Sequence, residues 1–219
     1  MPGMTAPAPD LQTARMWFDP ICPWAWMTSR WLLQVEQVRP VRVQWQVMSL
    51  AMLNAGRELP PEYAALMERA WGPVRVIIAA QQAAAADPGL GDDVVKRLYD
   101  AMGTRIHGHG RYAADGHYDG VIAESLAECG LPAQLARAAD DERHDAELRR
   151  SHEAGIGLVG TEVGTPIVAF GEIAFFGPVV SPAPKGAAAG LLWDGCLLVA
   201  GTPGFFELKR TRTVEPIFD

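Results

Sequence analysis

The sequence predicts an α/β protein in which a block of helices interrupts a mixed sheet. Three observations support this prediction. Residues 15–48 have the pattern of a strand, a helix and a second strand, residues 57–156 are rich in helix-forming side chains, and strand patterns return after residue 160. Cys22 lies in the first turn of the opening βαβ unit, where a strand meets a helix.

The opening unit is defined by two prolines and an alternating segment. The first strand is predicted at residues 15–19 and ends at Pro20. Pro23 suits the first helical position, since the N–H that proline lacks would be unpaired there, and this helix is predicted to reach about residue 38. Residues 41–48 (VRVQWQVM) alternate apolar and polar side chains, which predicts the second strand.

The middle of the chain predicts several helices bounded by Pro, Gly or Asp residues. Their predicted ranges are 61–71, 73–86, 93–104, 120–129 and about 140–159. Residues 106–119 contain several glycines, so we predict a mobile loop there.

The end of the chain predicts a hairpin, a helix and a tail. The strands are predicted at residues 166–170 and 173–176, joined by a turn at Gly171-Glu172. The last helix is predicted at residues 186–200, and the tail after residue 205 shows no regular pattern.

This order of elements predicts a division into three parts. Residues 1–14 are expected to be a flexible tail. Residues 15–56 and 157–219 are expected to form the α/β half. Residues 57–156 are expected to form an inserted all-helical domain that acts as a lid.

Composition narrows the class of protein. The apolar fraction of 49% in 219 residues provides for a real core, and the net charge of -7 without a basic patch argues against nucleic acid as a partner. No apolar run reaches the roughly 18 residues that a membrane span needs. The first fifteen residues lack the features of a secretory signal, and three cysteines are too few for a disulfide framework. We therefore expect a cytoplasmic protein.

Cys22 is the strongest candidate for a reactive group. Unpaired N–H groups and the helix dipole favour negative charge at a helix N-terminus. They can lower a thiol pKa from about 8.5 into the range of roughly 3.5–7.5. The resulting thiolate attacks disulfides and electrophiles, with Pro23 fixing the turn and Trp24 offering an aromatic wall. The alternative is an inert cysteine that fills space at the strand end.

A second motif, Gly164-Thr165-Pro166, precedes the third predicted strand. In thioredoxin folds a cis-proline at this point faces the reactive cysteine and leaves the preceding backbone free to pair with substrate. Together with Cys22-Pro23 and the order of elements, it predicts a thioredoxin-like fold with an inserted helical domain. The alternative for Thr165-Pro166 alone is a trans proline that begins a strand.

Four segments resemble one family of enzymes: residues 17–24 (WFDPICPW), 163–166 (VGTP), 175–178 (FFGP) and 205–212 (FFELKRTR). They are similar to the DsbA-like (FrnE-like) oxidoreductases, and more narrowly to the actinobacterial mycothiol-dependent nitroreductase and disulfide reductase group. The resemblance implies a helical lid, a cytoplasmic setting and mycothiol as reducing co-substrate. It also implies nitro reduction without a bound flavin, and no tightly bound cofactor.

The sequence departs from that family at one position. The family motif is Cys-Pro-Trp-Cys, whereas this chain has Ala25 in place of the second, resolving cysteine. Ala25 is either a replacement introduced into a dithiol protein or the mark of a natural monothiol variant. Cys129 and Cys196 are predicted to be small core residues.

By the same resemblance, Asn54, Tyr63 and His107 match polar positions near the family's active cysteine. Tyr63 is otherwise a packing residue of an amphipathic helix. His107 is either a proton donor with a pKa near neutrality or a surface histidine. The histidines are too dispersed to predict a metal site. A basic cluster, Lys209 to Arg212, either attracts an anionic group of a thiol or is a solvated tail.

The leading interpretation is a thiol–disulfide oxidoreductase. A low-molecular-weight thiol, mycothiol by resemblance, would reduce disulfides or electrophilic and nitro substrates through a Cys22 thiolate, and Ala25 would impair the activity. The alternative enzyme is a thiol-dependent isomerase or transferase of the 2-hydroxychromene-2-carboxylate isomerase and kappa transferase type, which usually has serine at the Cys22 position. A third interpretation is a non-catalytic binding module. We expect neither a nucleic acid nor a membrane as partner, and a homodimer is left open.

Overall fold

A computed structural model describes residues 11–109 and 118–218. Its centre is a four-stranded mixed sheet in the order β2-β1-β3-β4. The strands are β1 (Gln12–Phe18), β2 (Val41–Val47), β3 (Ile167–Phe170) and β4 (Ile173–Phe176). β1 pairs parallel with β2 and antiparallel with β3, and β3 pairs antiparallel with β4.

Eight α-helices lie in the described ranges. They are α1 (Pro23–Val38), α2 (Leu50–Asn54), α3 (Pro61–Arg69), α4 (Trp71–Ala86), α5 (Val94–Gly103), α6 (Asp119–Glu128), α7 (Asp145–Val159) and α8 (Gly186–Ala200). Short 3-10 segments occur at Pro88–Leu90, Ala133–Asp140 and Glu142–His144, and a π-helical turn at Thr104–Gly108 extends α5.

Alternation along β1 sends side chains into two cores. Met16 and Phe18 belong to the large cluster that contains the buried residues of α1, whereas Trp17 lies in a smaller cluster with Ile156 of α7. A Cβ on Gly155 of α7 would lie 2.7 Å from the Trp17 ring, so glycine is what lets α7 approach the sheet. The strand therefore holds the first helix on one face and α7 on the other.

The helical block shares the core of the sheet. Phe18 stacks on Tyr99 of α5 with ring centroids 3.7 Å apart. A Cβ on Gly103 would lie 2.1 Å from the ring of Trp26 in α1. The end of α5 is thus pressed against the helix that follows Cys22, and one hydrophobic cluster runs through both halves of the molecule.

The predicted α/β architecture with a helical insertion is confirmed, and α1, β4 and α8 have their predicted bounds. Two predicted starts were wrong by three residues or more. β1 begins at Gln12, so residues 12–14 belong to this strand. The long helix predicted from about residue 140 begins at Asp145 as α7, which packs on β2, β3 and β4. The division into a tail, an α/β half and a helical domain stays a prediction.

Two further segments complete the comparison with the sequence. Residues 50–54, for which no element was predicted, form the short helix α2, and Ser49 caps it by accepting the N–H of Met52. Of the predicted loop 106–119, the first residues belong to the π-helical turn, and residues 110–117 lie outside the described ranges. Among the described helices, none combines the length and apolarity that spanning a membrane demands.

Candidate active site

Cys22 is the N-cap residue of α1. Its backbone is extended, and its sulfur accepts the N–H of Ala25 at 3.4 Å. The turn is fixed because the N–H of Cys22 donates to the carbonyl of Asp19 and Pro23 begins the helix. The sulfur thus lies at the positive end of α1, as the sequence predicts.

The loop before β3 lies directly against this sulfur. The thiol of Cys22 donates to the carbonyl oxygen of Thr165 at 3.4 Å, and the peptide bond between Thr165 and Pro166 is cis. The hydroxyl of Thr165 donates to the carbonyl of Trp17 at 2.9 Å, which ties this loop to β1. Two motifs that are 143 residues apart in the chain are therefore brought together.

The electrostatics of Cys22 differ from the prediction. The residue is 6% exposed, and burial raises the pKa of its thiol to about 12. Backbone N–H groups of Ala25 and Trp24 act in the opposite direction, while the charge of Asp19 adds to the rise. The predicted lowering of this pKa was wrong for this arrangement, because the loss of hydration outweighs the helix N-terminus.

Asp19 is a buried carboxyl that the sequence analysis missed. Its two oxygens accept the N–H of Ile21 at 3.0 Å and that of Leu50 at 2.7 Å. It therefore joins the Cys22 turn to the start of α2. Burial raises the pKa of Asp19 to about 7. An aspartate at the end of a strand and before a proline was the available signal, since such residues cap turns.

Asn54 and Tyr63 interact with each other, and Tyr63 is within reach of the charges of Cys22 and Asp19. Asn54 ends α2, and its side-chain amide donates to the carbonyl of Leu50 at 2.8 Å. Tyr63 is 36% exposed. Partial burial raises its pKa, the charges of Cys22 and Asp19 raise it further, and a hydrogen bond with Asn54 opposes the rise. Both residues remain candidate ligand-binding groups.

His107 is buried, so it is not a surface histidine, while its predicted place among the ligand-binding residues stays a prediction. Its Nε2 lies 2.8 Å from the carbonyl oxygen of Pro20, which requires a proton on that nitrogen. Its ring stacks on Trp26 at 5.7 Å between centroids. Burial lowers the pKa of His107 to about 4. It is therefore a neutral donor that holds the helical block to the turn before Cys22.

The remaining predicted site positions differ in exposure. Pro23 and Trp24 are half-buried, whereas Ala25 is fully buried behind the sulfur. Cys129 and Cys196 are half-buried. Cys129 packs against the large hydrophobic cluster, and burial raises the pKa of Cys196 to about 11. Within the described ranges, no three His, Cys, Asp or Glu side chains lie close enough to share a metal ion.

Comparison with known proteins gives one family and one curated relative. The model of the family described as Rv2466c-like, mycothiol-dependent nitroreductase Rv2466c, matches residues 21–210. The uncharacterized protein Rv2286c of Mycobacterium tuberculosis is 28% identical over 206 residues, which span 93% of this chain and 84% of that protein.

Solved structures show the same fold at low identity. DsbA from Chlamydia trachomatis is 11% identical with a TM-score of 0.55, and the match covers 85% of this chain and 87% of that one. A 2-hydroxychromene-2-carboxylate isomerase is 13% identical with a TM-score of 0.51, covering 75% and 88% of the two chains. These matches establish a DsbA-like, thioredoxin-type fold.

Proposed function

Because the chain belongs to the family described as Rv2466c-like, mycothiol-dependent nitroreductase Rv2466c, we propose that it reduces small disulfide or nitro compounds at Cys22, with mycothiol as co-substrate. The observation that carries the proposal is the position of the Cys22 sulfur. It caps α1 and lies 3.4 Å from the carbonyl oxygen of Thr165. Tyr63, which interacts with Asn54 and with the charge of Cys22, is a candidate polar group for the bound ligand.

The first step of the reaction needs Cys22 as a thiolate. Burial of the sulfur and its hydrogen bond to Thr165 favour the protonated thiol instead. A ligand that enters between Trp24 and the Thr165 loop would replace the hydrogen bond from the thiol to Thr165. The N–H groups at the start of α1 would then stabilise the thiolate. We therefore expect the pKa of Cys22 to fall when this contact opens.

Disulfide reduction then follows ordinary exchange chemistry. The Cys22 thiolate attacks one sulfur of the substrate, the substrate S–S bond breaks, and one substrate thiolate leaves. The thiolate of mycothiol next attacks the mixed disulfide, which restores Cys22 and releases the second half of the substrate bound to mycothiol. With Ala25 in place of the resolving cysteine, the second thiol must come from solution.

A nitro group would take electrons from two thiols. Cys22 and one mycothiol form a mixed disulfide while the nitro compound becomes a nitroso compound and water. A second mycothiol then reduces that disulfide and leaves as the mycothiol disulfide. Each cycle consumes two thiols, which supply the two electrons and two protons that the nitro group takes up, so no flavin is required.

Mass spectrometry of the intact protein tests the proposal. Incubation with oxidised mycothiol should add one mycothiol to Cys22, and reduced mycothiol should then remove it. Cys22→Ser should carry no adduct, whereas Cys196→Ser, at a half-buried position on α8, should be labelled like the parent protein. Absence of an adduct on Cys22, while denatured protein is labelled, would refute the proposal.

The presence of Ala25 in place of a resolving cysteine favours a second function, that of a thiol-dependent isomerase. A site with a single thiol suits a thiol cofactor that is recycled and not oxidised, as in an isomerase. Thiol titration during turnover separates the two functions. With a nitro compound as substrate, an oxidoreductase consumes two thiols per product, whereas an isomerase consumes none.

A further inference from the structure

The C-terminal strap, residues 205–218, has no regular structure but is held at three places. The hydroxyl of Ser181 donates to the carbonyl of Glu215 and accepts the N–H of Ile217 at 2.8 Å. The ring of Phe218 lies 5.5 Å from that of His107. The guanidinium of Arg212 lies 5.2 Å from the ring centroid of Trp24. The strap thus crosses the face of the molecule that carries the reactive cysteine.

Arg212 is a cation without a carboxylate partner among the residues that the structure describes. It is exposed to solvent, and it lies over Trp24, two positions after Cys22 in the chain. A guanidinium over an aromatic ring keeps N–H donors at its edge free for hydrogen bonds. Those donors fit the paired oxygens of a carboxylate or nitro group.

We propose that Arg212 is a ligand-binding residue that selects aromatic acceptors with a carboxylate or nitro group for reaction at Cys22. This inference rests on the proposed function and names the class of acceptor. The indole of Trp24 supplies the aromatic surface, and the strap supplies the positive charge. The net charge of -7 repels an anionic acceptor, so a cation beside Trp24 would offset this repulsion locally.

Two aromatic disulfides, one anionic and one neutral, test the proposal. One is 5,5'-dithiobis(2-nitrobenzoate), which carries two carboxylates and two nitro groups, and the other is the neutral 4,4'-dithiodipyridine. With either probe, the Cys22 thiolate attacks one sulfur, the S–S bond breaks and one coloured aryl thiol is released. Cys129 and Cys196 are replaced by alanine in all proteins, so that only Cys22 reports, and circular dichroism checks folding.

Rate constants are compared for the parent protein, Arg212→Ala, Arg212→Lys and the matched control Arg210→Ala, an exposed arginine on the same strap. Arg212→Ala should slow the anionic probe by about threefold to fivefold, the upper part of the range for loss of one charged contact at a surface. The rate constant of Arg212→Lys with the anionic probe should lie between those of the parent protein and Arg212→Ala. The neutral probe should change by less than about twofold, and added salt should slow the anionic probe only where Arg212 is present.

Equal slowing of both probes by Arg212→Ala would overturn the inference, since Arg212 would then only support the fold of the strap. No change with either probe would overturn it as well, as would an equal effect of Arg210→Ala. A Cys22 that reacts with neither probe in the parent protein would instead contradict the proposed function, so the two failures are distinguishable.

Discussion

The thiol of Cys22 and the carbonyl oxygen of Thr165 lie 3.4 Å apart and share a hydrogen bond. This contact joins the N-terminus of α1 to the loop before β3. It also shields the sulfur, since Cys22 is only 6% exposed. Cys22 therefore occupies the position of a reactive cysteine, but its thiol is protonated. A reaction at this sulfur requires the contact with Thr165 to open.

Alkylation measures that protection directly. Burial raises the pKa of Cys22 to about 12, so at pH 8 about one molecule in ten thousand carries the thiolate. We expect iodoacetamide to modify Cys22 in the native protein at least about a hundredfold more slowly than a free cysteine. Mass spectrometry of the labelled peptides would show the difference, and labelling in urea is the control. A native rate constant that follows a pKa near 8.5 would contradict this prediction.

Asp19 should make stability depend on pH. Its pKa rises from 3.8 to about 7 on folding because the carboxyl is buried. Between these values the unfolded chain has released the proton that the folded protein retains, so the stabilisation from this proton is lost as pH rises. The Asp19 contribution to the free energy of unfolding in urea should therefore fall from about pH 4 to about pH 7, opposite in sign to the contribution of His107, whose pKa folding lowers. Asp19→Asn should remove this slope, whereas Asp92→Asn, at an exposed position, should retain it.

Restoring the second cysteine tests the meaning of Ala25. The residue is fully buried, and its N–H donates to the Cys22 sulfur at 3.4 Å. We expect Ala25→Cys to form an intramolecular disulfide on oxidation, seen as two fewer titratable thiols in the denatured protein. Ala25→Ser is the matched control and should lose none. An Ala25→Cys protein that retains both thiols would show that the two sulfurs do not meet.

The sequence predicted the parts of the fold that local patterns encode. The bounds of α1 follow from Pro23 at one end and the Arg39-Pro40 pair at the other. Alternation predicted β2 as far as Val47. The 3-10 segment Ala133–Asp140 was not predicted, and Glu142–His144 was predicted as part of the long helix, because no local signal separates a short 3-10 segment from an α-helix.

The sequence motifs predicted the proximity of Cys22 and the Thr165 loop but not the electrostatics of the candidate site. The motif and the resemblance selected Cys22 and Thr165, which the structure brings into contact. The charge states of Cys22 and His107 depend on burial by residues far away in the chain, such as Phe218 on His107. Desolvation is a property of the whole fold, so a local helix-terminus argument predicted the wrong direction for the Cys22 pKa.

His107 should act as a structural donor. Burial lowers its pKa to about 4, so its ring should not titrate between pH 5 and 8 in an NMR experiment. Since the folded pKa lies below the unfolded value of 6.5, the His107 contribution to stability should fall as pH decreases from 6.5 toward 4, seen as a pH-dependent difference between the parent protein and a His107 variant.

Replacement of His107 tests the same contact in another way. His107→Ala leaves the buried carbonyl of Pro20 without its donor, at a cost of about 1–3 kcal/mol in the free energy of unfolding. His107→Gln, which can still donate, should lose less. A histidine signal that titrates near 6.5 would contradict the assignment of a buried neutral ring.

Gly103 should be required for the contact between α5 and the active-site helix. Within a helix, alanine is normally more stable than glycine by roughly 0.5–1 kcal/mol. A Cβ at position 103 would lie 2.1 Å from the Trp26 ring, which is itself buried and stacked on His107. We therefore expect Gly103→Ala to lower the free energy of unfolding by about 1–3 kcal/mol, the cost of overpacking a core.

Gly157→Ala is the matched control for that clash. It lies in α7, and a Cβ there would have no heavy atom within 4 Å. This substitution should stabilise the protein by about 0.5–1 kcal/mol in urea denaturation. Because Trp26 also carries the ring contact of His107, Gly103→Ala should change Trp fluorescence and expose Cys22 to alkylation, whereas Gly157→Ala should do neither. Equal stabilisation by both substitutions would show that α5 does not press on Trp26.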